Sequence, residues 1–256
     1  MSSSFSLENK LVVITGGGTG IGFATAQEVI KAGGSVAITG RREAVLAKAC
    51  EKLGSKASYF QNDVMNLPEI PNLIKRIETE VGPIYGLVNN AGETLIRPAL
   101  ETTDDDLLKL LTNHVRGSFA MTRECALYMK ERNSGSVIFI CSLSAIFAVR
   151  NCLAYTAGKA AMKGITRTLA YELAPYGIRV NDIAPGWIET DMGRLAAQHK
   201  ATDPNRRKRI EERTPLGRYG EPGDIGCAAV YLLSQAAKFV TGFELVVDGG
   251  ITNTGI

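Results

Sequence analysis

The 256-residue sequence predicts an α/β fold: one domain with a doubly wound parallel sheet of about seven strands and helices on both faces. Three observations predict it. Short apolar runs alternate with longer stretches of helical periodicity along nearly the whole chain. Strands separated by helices pair in parallel through right-handed crossovers, which cover both faces of a sheet. No Pro/Ser-rich linker, composition break or internal repeat divides the chain, so residues 1–256 read as a single domain.

Leu11 to Thr15 is wholly apolar up to its last residue, the pattern of a strand buried on both faces. A helix follows from Ile21 to Ala32, stopped by Gly33-Gly34. Ser35 to Thr39 is a second strand and Glu43 to Leu53 a second helix. Strand signals recur at Ala57 to Gln61, Tyr85 to Val88, Ser136 to Cys141, Arg179 to Ile183 and Glu244 to Val247. Helical patterns fill the gaps at about 68–81, 104–132, 153–174 and 223–235. The stretch 187–218 is polar, charged and without a clear period, and reads as a long irregular insertion; loops of that length usually carry function or move.

Composition narrows the function. Hydrophobic content of 45% and charged content of 21% are those of an ordinary globular protein. A net charge of +3 and a single Trp argue against a nucleic-acid platform or a charged membrane surface. The first ten residues lack a signal-peptide pattern, the last four carry no sorting signal, and no apolar run approaches the ~18 residues of a membrane span. Five cysteines, an odd number without C-x-x-C spacing, suit a reducing cytoplasm rather than a disulfide framework or structural zinc. Only His114 and His199 offer imidazole, neither near a second ligand in sequence, so no metal is expected.

After the first strand comes Thr15-Gly16-Gly17-Gly18-Thr19-Gly20-Ile21-Gly22. The spacing is Gly16-x-x-x-Gly20-x-Gly22 rather than G-x-G-x-x-G. The physics is shared: glycines allow a tight turn and close backbone approach, and a helix N-terminus aims free N–H groups at phosphates. Gly16, Gly18, Thr19, Gly20, Ile21 and Gly22 are therefore candidate dinucleotide contacts, against the plainer reading of a Gly-rich turn. The second strand ends in Gly40-Arg41-Arg42, with no carboxylate before Glu43. Guanidinium groups suit a ribose 2′-phosphate, so Arg41 and Arg42 predict NADP (NADPH) over NAD; otherwise they are solvated residues opening a helix.

Tyr155 and Lys159 lie one helical turn apart, with Ser142 upstream. A phenol of pKa about 10 is a poor acid or base at neutral pH, and a neighbouring ammonium would pull it down. Beside a serine hydroxyl that holds a carbonyl oxygen, such a pair can move a proton on and off a C–O bond. Alone, the pair could equally be a helix-surface contact.

Taken in order, these motifs resemble the short-chain dehydrogenase/reductase family, in its single-domain branch, over about residues 9–250. The matches are the glycine turn, Asp63-Val64, Asn89-Asn90-Ala91-Gly92, Asn113, Ser142, Tyr155-x-x-x-Lys159, Pro185-Gly186-Trp187-Ile188-Glu189-Thr190 and Val247-Asp248-Gly249-Gly250. The resemblance implies a Rossmann sheet and a role for each residue. Asp63 and Val64 would meet the adenine; Asn90, Ala91 and Gly92 the adenosine ribose; Ile188 and Thr190 the nicotinamide carboxamide. Asn113 would hold a water in a proton relay, Ser142 would orient the substrate oxygen, and Tyr155 would be the general acid/base. Lys159 would lower the tyrosine pKa and bond the nicotinamide ribose. The implied activity is hydride transfer between NADP and a ketone/secondary-alcohol pair of a small-molecule substrate: a sugar acid or polyol, a 3-oxoacyl thioester, or a small ketone. Without catalysis, the same fold would be a dinucleotide sensor or scaffold, but such relatives usually lack the Tyr–Lys pair. Relatives that reduce enoyl C=C bonds tend to lose its spacing. A homo-oligomer, a tetramer built on the two long central helices and the C-terminal segment, is also implied.

Substrate choice is expected to lie in residues 93–98, 143–152 and 187–218. Trp187 would wall the pocket or anchor a lid. Arg206-Arg207-Lys208-Arg209 could attract an anionic substrate, although basic runs are commonly solvated helix faces. The mixed-sign Met129-Lys130-Glu131-Arg132 makes no acidic-carrier dock. Cys152 either borders the site as a reactive thiol or is a small buried residue.

Overall fold

The computed structural model of the chain describes residues 4–198 and 205–253, the side chains of 195–198 excepted. His199, with the 199–204 part of the expected insertion, lies outside the described residues.

Seven strands form one parallel sheet: β1 (Leu11–Thr15), β2 (Ser35–Gly40), β3 (Ala57–Gln61), β4 (Ile84–Asn89), β5 (Gly135–Ile140), β6 (Ile178–Pro185) and β7 (Glu244–Val247). Their spatial order is β3-β2-β1-β4-β5-β6-β7. The helices are α1 (Gly20–Lys31), α2 (Glu43–Leu53), α3 (Ile70–Glu80), α4 (Asp104–Leu111), α5 (Ser118–Glu131), α6 (Leu153–Leu173), α7 (Asp191–Gln198), α8 (Arg206–Arg213) and α9 (Pro222–Leu233). Among the described residues no helix is long and apolar enough to cross a membrane.

Successive strand residues face opposite sides of a sheet, and β1 shows the consequence. Leu11 and Val13 enter a core with Ile70, Leu73, Ile74 and Ile77 of α3, Met121 and Met129 of α5, and Met162 of α6. Val12 and Ile14 enter the other core with Val29 of α1, Leu46 of α2 and Ile225, Leu232 and Leu233 of α9. Val13 stands opposite both Ala37 of β2 and Leu87 of β4, one apolar row of the first core across three strands. Fully burying such a side chain contributes about 1.5–3 kcal/mol over leaving it exposed. This is why the apolar runs become central strands. The chain runs outward from β1 in both directions, so the loops after β1 and β4 part and leave a crevice at the carboxyl ends of the strands.

The expected elements form within a few residues of their predicted ends, with two corrections. The helix expected over 104–132 is interrupted: residues Thr112–Gly117 form a π-helical turn between α4 and α5. A Cβ at Gly117 would stand 2.6 Å from the Val64 carbonyl oxygen, so the turn packs directly on the loop after β3. Ser118 and Thr122 donate side-chain hydrogen bonds back to the carbonyls of His114 and Ser118. Single π-turns of this kind frequently sit at functional sites. The second correction concerns 187–218, where the described part is largely helical. Thr190 starts α7 by accepting the Gly193 N–H at 3.1 Å, and the Arg207–Glu211 and Lys208–Glu212 pairs, four residues apart, brace α8. Helices held by charge pairs rather than an apolar stripe leave little periodicity to read.

Candidate active site

The glycine turn is held by the loop after β4. The Asn90 side-chain amide donates to the carbonyls of Thr15 and Gly16, at 2.9 and 3.2 Å. The Thr15 hydroxyl accepts the N–H groups of Asn90 and Ala91, at 3.0 and 2.9 Å. Gly16 and Gly20 have φ of +65° and +55°, which a side chain would disfavour. At Gly22 a Cβ would stand 2.4 Å from the Gly16 oxygen and 2.5 Å from the Asn90 amide nitrogen. Gly18 faces Val45 of α2, with 3.1 Å available to a Cβ. Thr19 opens α1 with no side-chain cap and no acidic residue in the first turn. By contrast α4 has a capping box and three aspartates at its start. The first N–H groups of α1, around Ile21, are thus left for an anionic ligand, as a dinucleotide pyrophosphate requires.

At the end of β2, Arg41 is not a free cation: its guanidinium meets the Glu93 carboxylate at 3.1 Å, and Lys109 shares that carboxylate at 2.8 Å. Arg42 is exposed at the N-cap of α2, where a cation opposes the helix dipole. One oxygen of Asp63 accepts the Met65 N–H at 2.9 Å, and Val64 is buried beside the π-turn.

The proton-handling residues meet beyond the ends of β4 and β5. Ser142 accepts the Ser144 N–H at 3.2 Å, and its hydroxyl is close enough to the Tyr155 phenol to favour the phenolate. Lys159, one turn along α6, is 4% exposed and donates from Nζ to the Ile140 carbonyl at 2.7 Å. Its Nζ lies 5.7 Å from the centre of the Tyr155 ring. Burial pushes the Lys159 ammonium down to about 8. Burial likewise pushes the Tyr155 phenol up to about 12, with the Ser142 hydrogen bond working against it. The expected lowering of the phenol by Lys159 is therefore not what this geometry produces: desolvation of the phenolate is the largest cause and raises it.

Asn113 sits in the π-turn with its Oδ1 buried and unpartnered among the described residues. Next to it is His114, whose importance the sequence did not signal. Its ring stands edge-on to Tyr155 at 5.4 Å between centroids, and Nε2 meets the Glu93 carbonyl at 2.9 Å. Burial, then the Lys159 charge, pushes His114 down to about 3, so it is neutral and fixes the phenol's position by contact. Gly92 lies against it: a Cβ there would be 2.8 Å from His114 Cε1 and 3.7 Å from Lys159 Nζ.

Beyond β6, Ile188 bridges to Gly220, and Thr190 hangs over the glycine turn, with its Cγ2 3.4 Å from where a Gly20 Cβ would be. The candidate phosphate, ribose and nicotinamide residues thus line one crevice that ends at Tyr155.

Residues 16–252 match the family model described as "Enoyl-(Acyl carrier protein) reductase". The chain is 35% identical over 252 residues to the gluconate 5-dehydrogenase of Gluconobacter oxydans, covering 97% of this chain and 96% of that protein. It is 34% identical over 254 residues to the 5-keto-D-gluconate 5-reductase of Escherichia coli K12, covering 98% of each. A solved gluconate 5-dehydrogenase from Burkholderia cenocepacia J2315, in complex with NADP and tartrate, superposes with a TM-score of 0.92 at 32% identity and 98% coverage of both chains. The chain belongs to the short-chain dehydrogenase/reductase family. It is an oxidoreductase acting on CH–OH/C=O pairs, with a nicotinamide dinucleotide as cofactor.

In this short-chain dehydrogenase/reductase two of the three expected substrate segments, 93–98 and 143–152, meet. Arg97 and Cys152 form a parallel bridge, and the Arg97 N–H donates to the Asn151 carbonyl at 2.8 Å. Cys152 is buried at the start of α6, and burial raises its thiol, so it packs rather than reacts. The basic cluster divides. Arg207 pairs with Glu189 and Glu211 and stacks on Tyr219, and Lys208 faces Glu212, as a solvated helix face would. Arg206 instead lies on the Trp187 ring, 4.2 Å from its centroid. Thr15 and His114 are the residues that sequence reasoning left without a role. Thr15 was visible as the hydroxyl at the strand end, whereas nothing local marked His114; the basic run marked Arg206 but did not separate it from Arg207 and Lys208.

Proposed function

We propose that this enzyme interconverts a keto acid and hydroxy acid of the sugar-acid class, as gluconate and its 5-keto form, with NADP as cofactor. The observation that carries the reading is the convergence of Ser142 and Tyr155 with the buried Lys159 ammonium, which lies one helical turn from Tyr155 and 5.7 Å from its ring centre. Bound NADPH supplies the hydride to the carbonyl carbon. Ser142 holds the carbonyl oxygen, and Tyr155, a protonated phenol at neutral pH, gives that oxygen its proton as general acid. Lys159 stabilises the phenolate left behind, and Asn113 in the π-turn supports the route by which the proton is replaced. Ile188 and Thr190 orient the nicotinamide, Asp63 and Val64 the adenine, and Asn90, Ala91 and Gly92 the ribose.

Preference for NADP follows from Arg41 and Arg42. The Arg41–Glu93 pair is exposed, and such pairs are worth about 0–1 kcal/mol, so a doubly charged 2′-phosphate can displace it. Gluconate-active relatives, one of them solved with NADP and tartrate, support both substrate class and cofactor. The intact Tyr155-x-x-x-Lys159 favours C=O over enoyl chemistry despite the description of the family model. Five free thiols suit a reducing cytoplasm. Exposed Phe119 and Leu127 on α5, Tyr171 on α6 and Phe243 before β7 suit a homo-oligomer, which light scattering would detect.

The test is NADPH oxidation with 5-keto-D-gluconate, a 3-oxoacyl thioester and a neutral ketone, with NADH in parallel. Preferred turnover of the keto acid is expected. Turnover of the thioester alone overturns the substrate class, and kcat/KM with NADH equal to that with NADPH overturns the cofactor. Tight NADPH binding with no turnover would favour the sensor reading. In the reductive direction Tyr155 stays protonated across the working range while Lys159 loses its charge near pH 8. Reductive kcat/KM is therefore expected to hold up to about pH 8 and then fall along a single limb.

A further inference from the structure

We propose that the Arg206 guanidinium is the group that binds the carboxylate end of the substrate, which makes α8 the element selecting an acid over a neutral ketone. The proposal deepens the sugar-acid reading above and rests on it for the substrate's identity.

The neighbouring arginines show why Arg206 stands apart. Arg97 pairs with Asp106, Arg194 with Asp191, Arg207 with Glu189 and Glu211, and Arg218 with Asp224. Arg206 has no carboxylate partner among the described residues, and its contact is the face of Trp187. It is half-buried, whereas Arg207 and Arg218 are exposed. A partly desolvated guanidinium without a counter-charge is an unfavourable arrangement unless an anion completes it. Stacking on the indole holds the plane of the fork and leaves its edge N–H groups free for a bidentate carboxylate.

Its position is that of a substrate contact. Trp187 follows the Pro185-Gly186 end of β6 and precedes Ile188. Cys152, at the N-cap of α6 and three residues before Tyr155, is near enough that the Arg206 charge opposes the rise that burial imposes on its thiol. Tyr219 feels the same charge. Arg206 therefore lies among Trp187, Cys152 and Tyr219, at the N-terminal end of the helix that carries Tyr155. A sugar acid carries its carboxylate several carbons from the reacting carbon, which suits recognition at the mouth with chemistry at the base. Arg207 and Lys208, with their charges already matched, supply an internal comparison.

Trp187 is the only tryptophan of the chain, so its fluorescence reports the site without turnover. The experiment titrates tartrate into the enzyme–NADP⁺ complex and, separately, measures kinetics on 5-keto-D-gluconate and a neutral ketone. For Arg206→Ala, tartrate affinity is expected to fall at least about tenfold, the scale of a lost charge-assisted hydrogen bond. The ratio of kcat/KM for the keto acid to that for the neutral ketone should fall by a similar factor, through KM rather than kcat. Arg206→Lys, which keeps the charge, should recover part of both, and Arg207→Ala should match the parent in both. Absence of a saturable tartrate signal in the parent enzyme, parent-like tartrate affinity in Arg206→Ala, or equal losses on acid and neutral substrates would each overturn the proposal. A parent enzyme that binds tartrate through Arg206 yet does not turn over the keto acid would sink the sugar-acid function and leave the anion site standing. Turnover of the keto acid unaffected by Arg206→Ala would do the reverse.

Discussion

The candidate cofactor crevice and the α7–α8 region are built from different interactions. In the crevice, position is set by backbone and buried groups: glycines with no room for a Cβ, the Thr15 and Asn90 bonds that tie two loops together, and Lys159 bonded to a strand carbonyl. Around α8, position is set by long side chains: Arg206 on Trp187, Arg207 with two glutamates, and, just beyond it, Arg218 with Asp224 of α9. Backbone-level constraints resist substitution because there is no alternative geometry. Surface pairs worth under about 1 kcal/mol each can be exchanged one at a time. A fold divided this way keeps one reaction while its substrate preference varies.

The largest expected effect tests the crevice. Tyr155→Phe should lower kcat by at least ~10²-fold, with NADPH affinity, read by fluorescence, within a few-fold of the parent. Parent-like turnover would remove Tyr155 from the proton-transfer role. Next is Gly22→Ala, whose Cβ meets the Gly16 oxygen and the Asn90 amide. A loss of about 1–3 kcal/mol in unfolding free energy is expected, with weaker dinucleotide binding; denaturant melts and a titration would show a neutral outcome at once.

A smaller effect probes a strand residue behind the site. Asp182 on β6 is buried with one oxygen unpartnered, and burial, then the Glu244 charge, pushes its carboxyl up to about 7. Its folded pKa is above the unfolded value, so stability is lost as pH rises from about 4 through 7. Asp182→Asn should thus gain about 1–2 kcal/mol over the parent at pH 8 and almost nothing at pH 4, by calorimetry at both pH values. A gain independent of pH would assign the effect to packing instead. The smallest effect belongs to α8: Arg207→Ala should change stability by under about 1 kcal/mol and kcat/KM by less than twofold. A large loss there would erase the contrast between the two regions.

Legibility followed the same division. Strands with consecutive apolar residues and helices with an apolar stripe were placed within a few residues, because burial on a two-sided sheet leaves few other options. The π-turn at 112–117 was invisible: its close packing of Gly117 on the Val64 carbonyl joins residues far apart in sequence. Helices α7 and α8 escaped because charge pairs leave no apolar period. At the site, Ser142, Tyr155, Lys159 and the glycine turn were legible from spacing. The phenol's raised pKa was not, because desolvation depends on what surrounds the ring. Arg41 was legible as a cation but not as the partner of Glu93, fifty-two residues away.

Residue order by itself determined the alternation of strands and helices, the glycines that permit the phosphate turn, and the one-turn spacing of Tyr155 and Lys159. These are local matters of backbone freedom and periodicity, which neighbouring residues carry in full. Only the tertiary structure decided that His114 braces the phenol, that the Lys159 ammonium donates a hydrogen bond to the Ile140 carbonyl while lying beside the Tyr155 ring, and that Arg206 stacks on Trp187. Burial and electrostatic environment are properties of distant segments brought together, and no window of sequence contains them.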